Sequence, residues 1–119
     1  MFWSRLKSLV GGGTTFTSKT TAAATTLNVP EDLSVVALTG TATVTSLVGS
    51  AWMRGRMVWF YQSDTGATTF TNSPGTTTAN QMDLGGLDPA NIVLSQSDWL
   101  CLYLRSDGTW IRVFGATNN

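Results

Sequence analysis

Histidine is absent from this chain, and with it go the commonest general base and the commonest metal ligand. Neither a Ser-His nor a Cys-His pair can be assembled. The carboxylates are Glu31, Asp32, Asp64, Asp83, Asp88, Asp98 and Asp107. Most fall in predicted turns, where an Asp side chain accepts hydrogen bonds from nearby backbone N–H groups. Asp83 and Asp88 could share a calcium ion, but no EF-hand spacing surrounds them, so turn chemistry is their expected role. Cys101 is the single cysteine, which excludes an intrachain disulfide. It lies inside Trp99-Leu100-Cys101-Leu102-Tyr103-Leu104 and reads as a buried, inert thiol. Gly11-Gly12-Gly13 lacks the Lys-Ser/Thr that a phosphate-binding loop requires. The expectation is a protein without catalytic residues, metal or cofactor.

One basic-aromatic cluster remains. Arg54 and Arg56 flank Gly55, with Trp52 and Trp59 on either side. Such a group could stack on a nucleic acid or a sugar, although core tryptophans beside surface arginines is the plainer reading. Trp52, Arg54 and Arg56 are therefore the candidate ligand or partner surface. The formal net charge is zero, so nothing pulls the whole chain toward nucleic acid or an anionic membrane, and neither is expected as a partner. No apolar run approaches a membrane span in length. The start of the chain lacks the long apolar region of a secretory signal, and the lone cysteine fits synthesis in a reducing cytoplasm.

The elements that must position these residues are short strands. The chain has 119 residues, enough for one domain. Threonine is the commonest residue, with twenty copies, and charged residues make up 12%, about half the usual share of roughly 25%. Together with 42% hydrophobic residues, this describes a β protein whose outer surface carries hydroxyls instead of charges. So little charge protects a monomer poorly against association, which points to a homo-oligomer.

Residues 1–20 are set apart as an arm. Phe2, Leu6, Leu9 and Val10 fall on one helical face, Trp3 adds apolar bulk, and Arg5 and Lys7 supply positive charge. Gly11-Gly12-Gly13 then acts as a hinge. Ten residues are too few for a stable isolated helix, so Phe2, Trp3, Arg5, Leu6, Lys7, Leu9 and Val10 belong either to a frayed terminus or to an arm that orders when docked on a neighbouring subunit or partner. Residues 21–119 form the β domain. Strands are predicted at 25–29, 34–38, 41–47, 56–62, 67–71, 91–95, 99–105 and 109–114, with a short one at 81–84. Ser34–Leu38 is apolar enough to be buried on both sides. Asp107-Gly108 between two apolar runs signals a hairpin, with Trp99 and Trp110 pairing across it and Ile111 and Val113 turned to the core. Trp59, Phe60, Leu102, Ile111 and Val113 are expected in the core. The predicted fold is all-β: a single sandwich or small barrel of about seven to nine short antiparallel strands. A β-prism or β-helix-like array completed between chains is the alternative.

In this order the strands resemble a small β module that recurs in tailed-phage structural proteins, often near the ends of fibres and spikes. The residues that carry the resemblance are Val35-Val36-Ala37-Leu38-Thr39-Gly40-Thr41, then Ala42–Leu47, Gly55-Arg56-Met57-Val58-Trp59-Phe60, Thr68-Thr69-Phe70-Thr71 and Asn80. Trp99–Leu104 with Asp107-Gly108-Thr109-Trp110-Ile111-Arg112-Val113 completes it. The match covers roughly residues 22–116. Trp52-Met53-Arg54 and the 83–91 segment depart from it. A nearly free-standing copy with a short arm implies a capsid cement or decoration protein. Its expected state is a homotrimer on the virion surface, with the major capsid protein as partner. A tail-fibre or tail-tip knob subunit is the nearest alternative. A carbohydrate-binding module using Trp52, Trp59 or Trp110 as a stacking platform is the alternative from another class.

Overall fold

The computed structural model describes residues 18–29, 35–85 and 91–115. The expected arm residues 1–17 lie outside them. Among the described residues the chain is all-β, with eleven strands and one 3-10 turn. The strands are β1 Ser18–Ala22, β2 Thr26–Asn28, β3 Val35–Thr39, β4 Ala42–Val44, β5 Ser46–Val48, β6 Met57–Gln62, β7 Thr68–Phe70, β8 Met82–Asp83, β9 Ile92–Leu94, β10 Trp99–Leu104 and β11 Trp110–Gly115. The strand β1 straddles the arm boundary expected at residue 20.

The antiparallel sandwich or barrel is not what forms. One six-stranded sheet runs β1-β3-β6-β10-β11-β8, and two small sheets pair β2 with β5 and order β4-β7-β9. Parallel pairing predominates: β1 with β3, β3 with β6, β2 with β5, β4 with β7 and β11 with β8. From β1 to β9 the chain alternates between the large sheet and the small ones, and β10 and β11 then add a hairpin to the large sheet. The segments thus stack as coils, and the parallel connections that usually need a helix are made by the other strands of the same coil. The predicted strand over 41–47 breaks for this reason. Thr45 and Ser46 both donate their N–H to Thr25 O, at 2.9 and 3.2 Å. This corner sends β4 and β5 into different sheets.

The main core joins residues of all three sheets. The large sheet contributes Val36, Leu38, Val58, Phe60, Leu100, Leu102, Leu104 and Trp110, and the small ones Leu27, Val44, Leu47, Phe70, Ile92 and Leu94. Phe60 stands edge-on to Phe70 and to Trp110, with ring centroids 5.6 and 6.2 Å apart, a favoured aromatic geometry. As expected, Val35, Val36, Ala37 and Leu38 are all buried, because both faces of β3 are covered.

The β10–β11 hairpin forms at Asp107-Gly108, with Leu104 opposite Trp110 and a bulge between Cys101 and Leu102. The expected facing of β11 is reversed. Trp110 is fully buried, its indole N–H donating to Leu47 O at 2.9 Å, so the ring can enter the core without an orphaned donor. Ile111 is half-buried and Val113 is 45% exposed. Trp99 pairs not with Trp110 but with Tyr61 and Trp59. Of the five expected core residues, Phe60 and Leu102 are fully buried, while Trp59 is half-buried on the other face of the sheet.

This facing fixes a mutational contrast. Leu102→Ala should cost about 2–5 kcal/mol in urea denaturation, whereas Val113→Ala should stay within about 0.5 kcal/mol. Equal costs at the two positions would show that the strand facing is wrong.

Candidate functional site

The aspartates are held at corners. Asp64 Oδ2 accepts the Gly40 N–H at 2.9 Å, and its Oδ1 accepts Gly66 N–H at 2.9 Å and Gln62 Nε2 at 2.7 Å. Gln62 is fully buried. Its amide also donates to Gly40 O at 2.9 Å and accepts from the Thr68 hydroxyl at 2.6 Å. Gly40 has a φ of +82°, and a Cβ on Gly66 would lie 2.2 Å from Gly40 O. Two glycines are therefore required for the β3–β4 and β6–β7 corners to touch. Asp83 accepts from Gly75 and Gly85 N–H, and Asp98 from Ser95 N–H. Asp107 accepts from the N–H and hydroxyl of Thr109, at 3.0 and 2.6 Å. The turn role expected of the acids is thus seen at each described aspartate. Asp88, the other half of the considered calcium pair, lies outside the described residues, among which no cluster of three or more His, Cys, Asp or Glu side chains could hold a metal.

The basic-aromatic cluster resolves into a rim. The 3-10 turn Ala51–Met53 brings the chain to Arg54, Gly55 and Arg56 ahead of β6. Gly55, at φ +83°, donates its N–H to Leu104 O at 2.7 Å, and Arg56 O accepts from Leu104 N–H at 3.0 Å. This ties the turn to the end of β10. Arg54, Gly55, Tyr103, Arg105 and Ser106 then line a shallow depression of about 310 Å³. Arg105 is paired with Asp107 at 3.4 Å, while Arg54 and Arg56 are exposed. Such a rim suits carboxylates on a partner surface, which arginine can bind through two parallel hydrogen bonds. Trp52 lies in the 3-10 turn, and its side chain is outside the described residues. Trp59 lies half-buried on the face of the large sheet opposite the main core. Trp110 cannot be a stacking platform, since it is fully buried.

Sequence reasoning missed that sheet face. The strands β3, β6 and β10 alternate, so Val35 and Ala37, Met57, Trp59 and Tyr61, and Trp99, Cys101 and Tyr103 share the side opposite the main core. In register, Val35 faces Trp59 and Trp59 faces Cys101, while Ala37 faces Tyr61 and Tyr61 faces Trp99. None of these residues is charged. Tyr61 and Trp99 stack at 4.5 Å, and Trp59 stands edge-on to Trp99 at 6.1 Å. Val35, Ala37 and Cys101 are buried yet are not members of the main core cluster. A second, smaller apolar layer therefore lies on this side. The signal was present in Met57–Gln62 and Trp99–Leu104, whose odd and even positions are both largely apolar.

Comparison of the chain with family models, with curated proteins and with solved structures finds no match.

Two titrations follow from this geometry. Hydrogen bonds from Gly40, then Gly66 and Gln62, lower the Asp64 pKa, and those from Thr109 lower that of Asp107. A carboxyl lowered in the folded state stabilises the fold above its unfolded pKa and loses that contribution as pH falls through the folded one. The melting temperature should therefore hold near neutrality and fall below pH 3.8, the ordinary value of these groups. Asp64→Asn should lower it at neutral pH and flatten the acid limb. An acid limb identical in the variant would contradict the assignment. Burial pushes the Cys101 thiol up to about 12, so a thiol reagent at pH 8 should label it only when the chain unfolds. Rapid native-state labelling would contradict its burial.

Proposed function

We propose that this chain is a non-enzymatic structural protein of a tailed-phage particle, a cement or decoration protein that binds the head shell as a homotrimer. The observation that carries the reading is where the residues of the phage-type resemblance lie. Gly40, Gly55, Asn80 and Trp110 are joints between coils, and Asp107 holds the β10–β11 turn. Gly40 meets Asp64, and Gly55 meets Leu104. Asn80, at φ +70°, donates its N–H to Gly108 O and accepts from Leu47 N–H, at 2.9 and 2.8 Å. Residues used this way make a rigid scaffold instead of a reaction centre.

In finer terms the chain reads as a short β-solenoid closed at one end by the β10–β11 hairpin. Stacks of this kind present extended surfaces whose outline follows from the coils. Exposed Thr41, Thr43, Thr45, Thr77 and Thr78 give an uncharged hydroxyl surface suited to packing in many copies. The arginine rim fits an acidic patch on the major capsid protein.

Sedimentation and shell binding test this reading together. The expected results are a species of three times the 12.7 kDa chain mass and saturable binding to empty heads. Raised salt and Arg54→Glu should both weaken that binding. A concentration-independent monomer that ignores shells would overturn the proposal. Binding to host cells in place of shells would move it to a tail-fibre knob.

A further inference from the structure

The depression at the end of β10 gathers more hydrogen-bond donors than its own residues use. We infer that it is a seat for one carboxylate, carried on an aspartate or glutamate side chain of a protein partner and gripped between Arg54 and Arg105. Placing that partner on the head shell rests on the virion reading; the chemistry of the seat does not.

The backbone makes the donors converge. Gly55, at φ +83°, has no side chain to fill the depression, and a Cβ there would stand 3.9 Å from the Tyr103 hydroxyl. A Cβ on Gly108 would stand 3.5 Å from a terminal nitrogen of Arg54. The Arg54 guanidinium therefore lies over the turn that carries Arg105 and Ser106. That turn is closed by Arg105 N–H donating to Thr109 O at 2.8 Å and Gly108 N–H donating to Arg105 O at 3.0 Å. Among the described residues, the Arg54 guanidinium and the hydroxyls of Tyr103 and Ser106 have no hydrogen-bond or ion-pair partner.

Charge and shape select the occupant. Arg105 is paired with Asp107 Oδ2 at 3.4 Å, while the other oxygen of that carboxylate holds Thr109. Two guanidinium groups less one carboxylate leave a surplus of one positive charge. That matches a carboxylate better than a phosphate group, whose charge is about −1.5 to −2. The planar fork of arginine fits both oxygens of a carboxylate, and the two hydroxyls can donate to its remaining lone pairs. At about 310 Å³ the depression stands at the bottom of the range for small-ligand sites, roughly 300–1,000 Å³, and it is too shallow to enclose a free molecule as those sites do. The carboxylate therefore arrives attached to a larger surface. Met57, 48% exposed, stands opposite Tyr103 in register and offers that surface an apolar contact. Aromatic residues, methionine and arginine are the types enriched where proteins meet proteins. A sugar acid seated on the arginines would leave Met57 uncovered.

The test titrates the isotope-labelled, full-length protein with acetyl-leucyl-glutamyl amide and follows the arginine Nε–Hε signals. Saturable shifts at Arg54 and Arg105 are expected, with a Kd on the order of millimolar. The glutaminyl peptide, equal in size but uncharged, should bind at least about tenfold more weakly. Arg54→Lys keeps the charge but loses the fork, and should weaken binding about fivefold or more. Tyr103→Phe removes one donor and should weaken it about threefold. Arg112→Gln, exposed on β11 and outside the depression, should leave it unchanged. Equal binding of the two peptides overturns the inference, as does an Arg54→Lys variant that binds as the parent does, since diffuse charge then suffices. Glucuronate binding more tightly than the glutamyl peptide overturns it in favour of a glycan. A seat that behaves as expected in a protein that ignores shells overturns only the virion reading. Shell binding by a protein that takes up neither peptide overturns only this inference.

Discussion

The side-chain amide of Gln62 is the constraint on which the stacked coils depend. It lies fully buried, where an unmatched amide would cost several kcal/mol. Every part of it is matched: the NH₂ reaches Gly40 O and Asp64, and the carbonyl accepts from Thr68. Its backbone is bonded as well, with Gln62 N–H donating to Asp98 O and Gln62 O accepting from Ser97 N–H. One residue thus joins the corner after β3, the corner before β7 and the turn that leads into β10. An apolar residue there would fill space but set no register. A polar one forces the corners to meet in one way, because any slip would strand its amide.

Around that hub the large sheet is apolar on both faces. One face meets the small sheets across Phe60, Phe70 and Trp110. The other carries the ring cluster of Trp59, Tyr61 and Trp99. Sheets with parallel neighbours are usually covered on both sides, and this one follows the rule without helices among the described residues. The hairpin then closes the stack. Gly49 leaves room for Trp110, since a Cβ there would come within 2.9 Å of both Trp110 and Leu104.

Much of the strand pattern was legible from β-branched and apolar runs between turn residues, and so were the Asp107-Gly108 hairpin and the turn role of the aspartates. The pairing was not. Local signals mark where strands begin and end, but the choice between a neighbour next in sequence and one a coil away depends on contacts such as Gln62 with Thr68. The facing of β11 was misread because tryptophan was treated as the outward residue, when a single bond to Leu47 O makes it the inward one. The arginine cluster was visible as Arg54-Gly55-Arg56. Its association with Tyr103, Arg105 and Ser106 required the fold.

A fold whose corners meet through Gln62 and Asp64 should be as firm at those corners as in its core. Native-state hydrogen exchange at the amides of Gly40 and Gly66 tests this most directly, since both donate to Asp64 and neither belongs to a strand. The account predicts that they exchange only with global unfolding, at the rate of the β3 and β6 amides. Exchange at ordinary loop rates, while the strands stay protected, would contradict it.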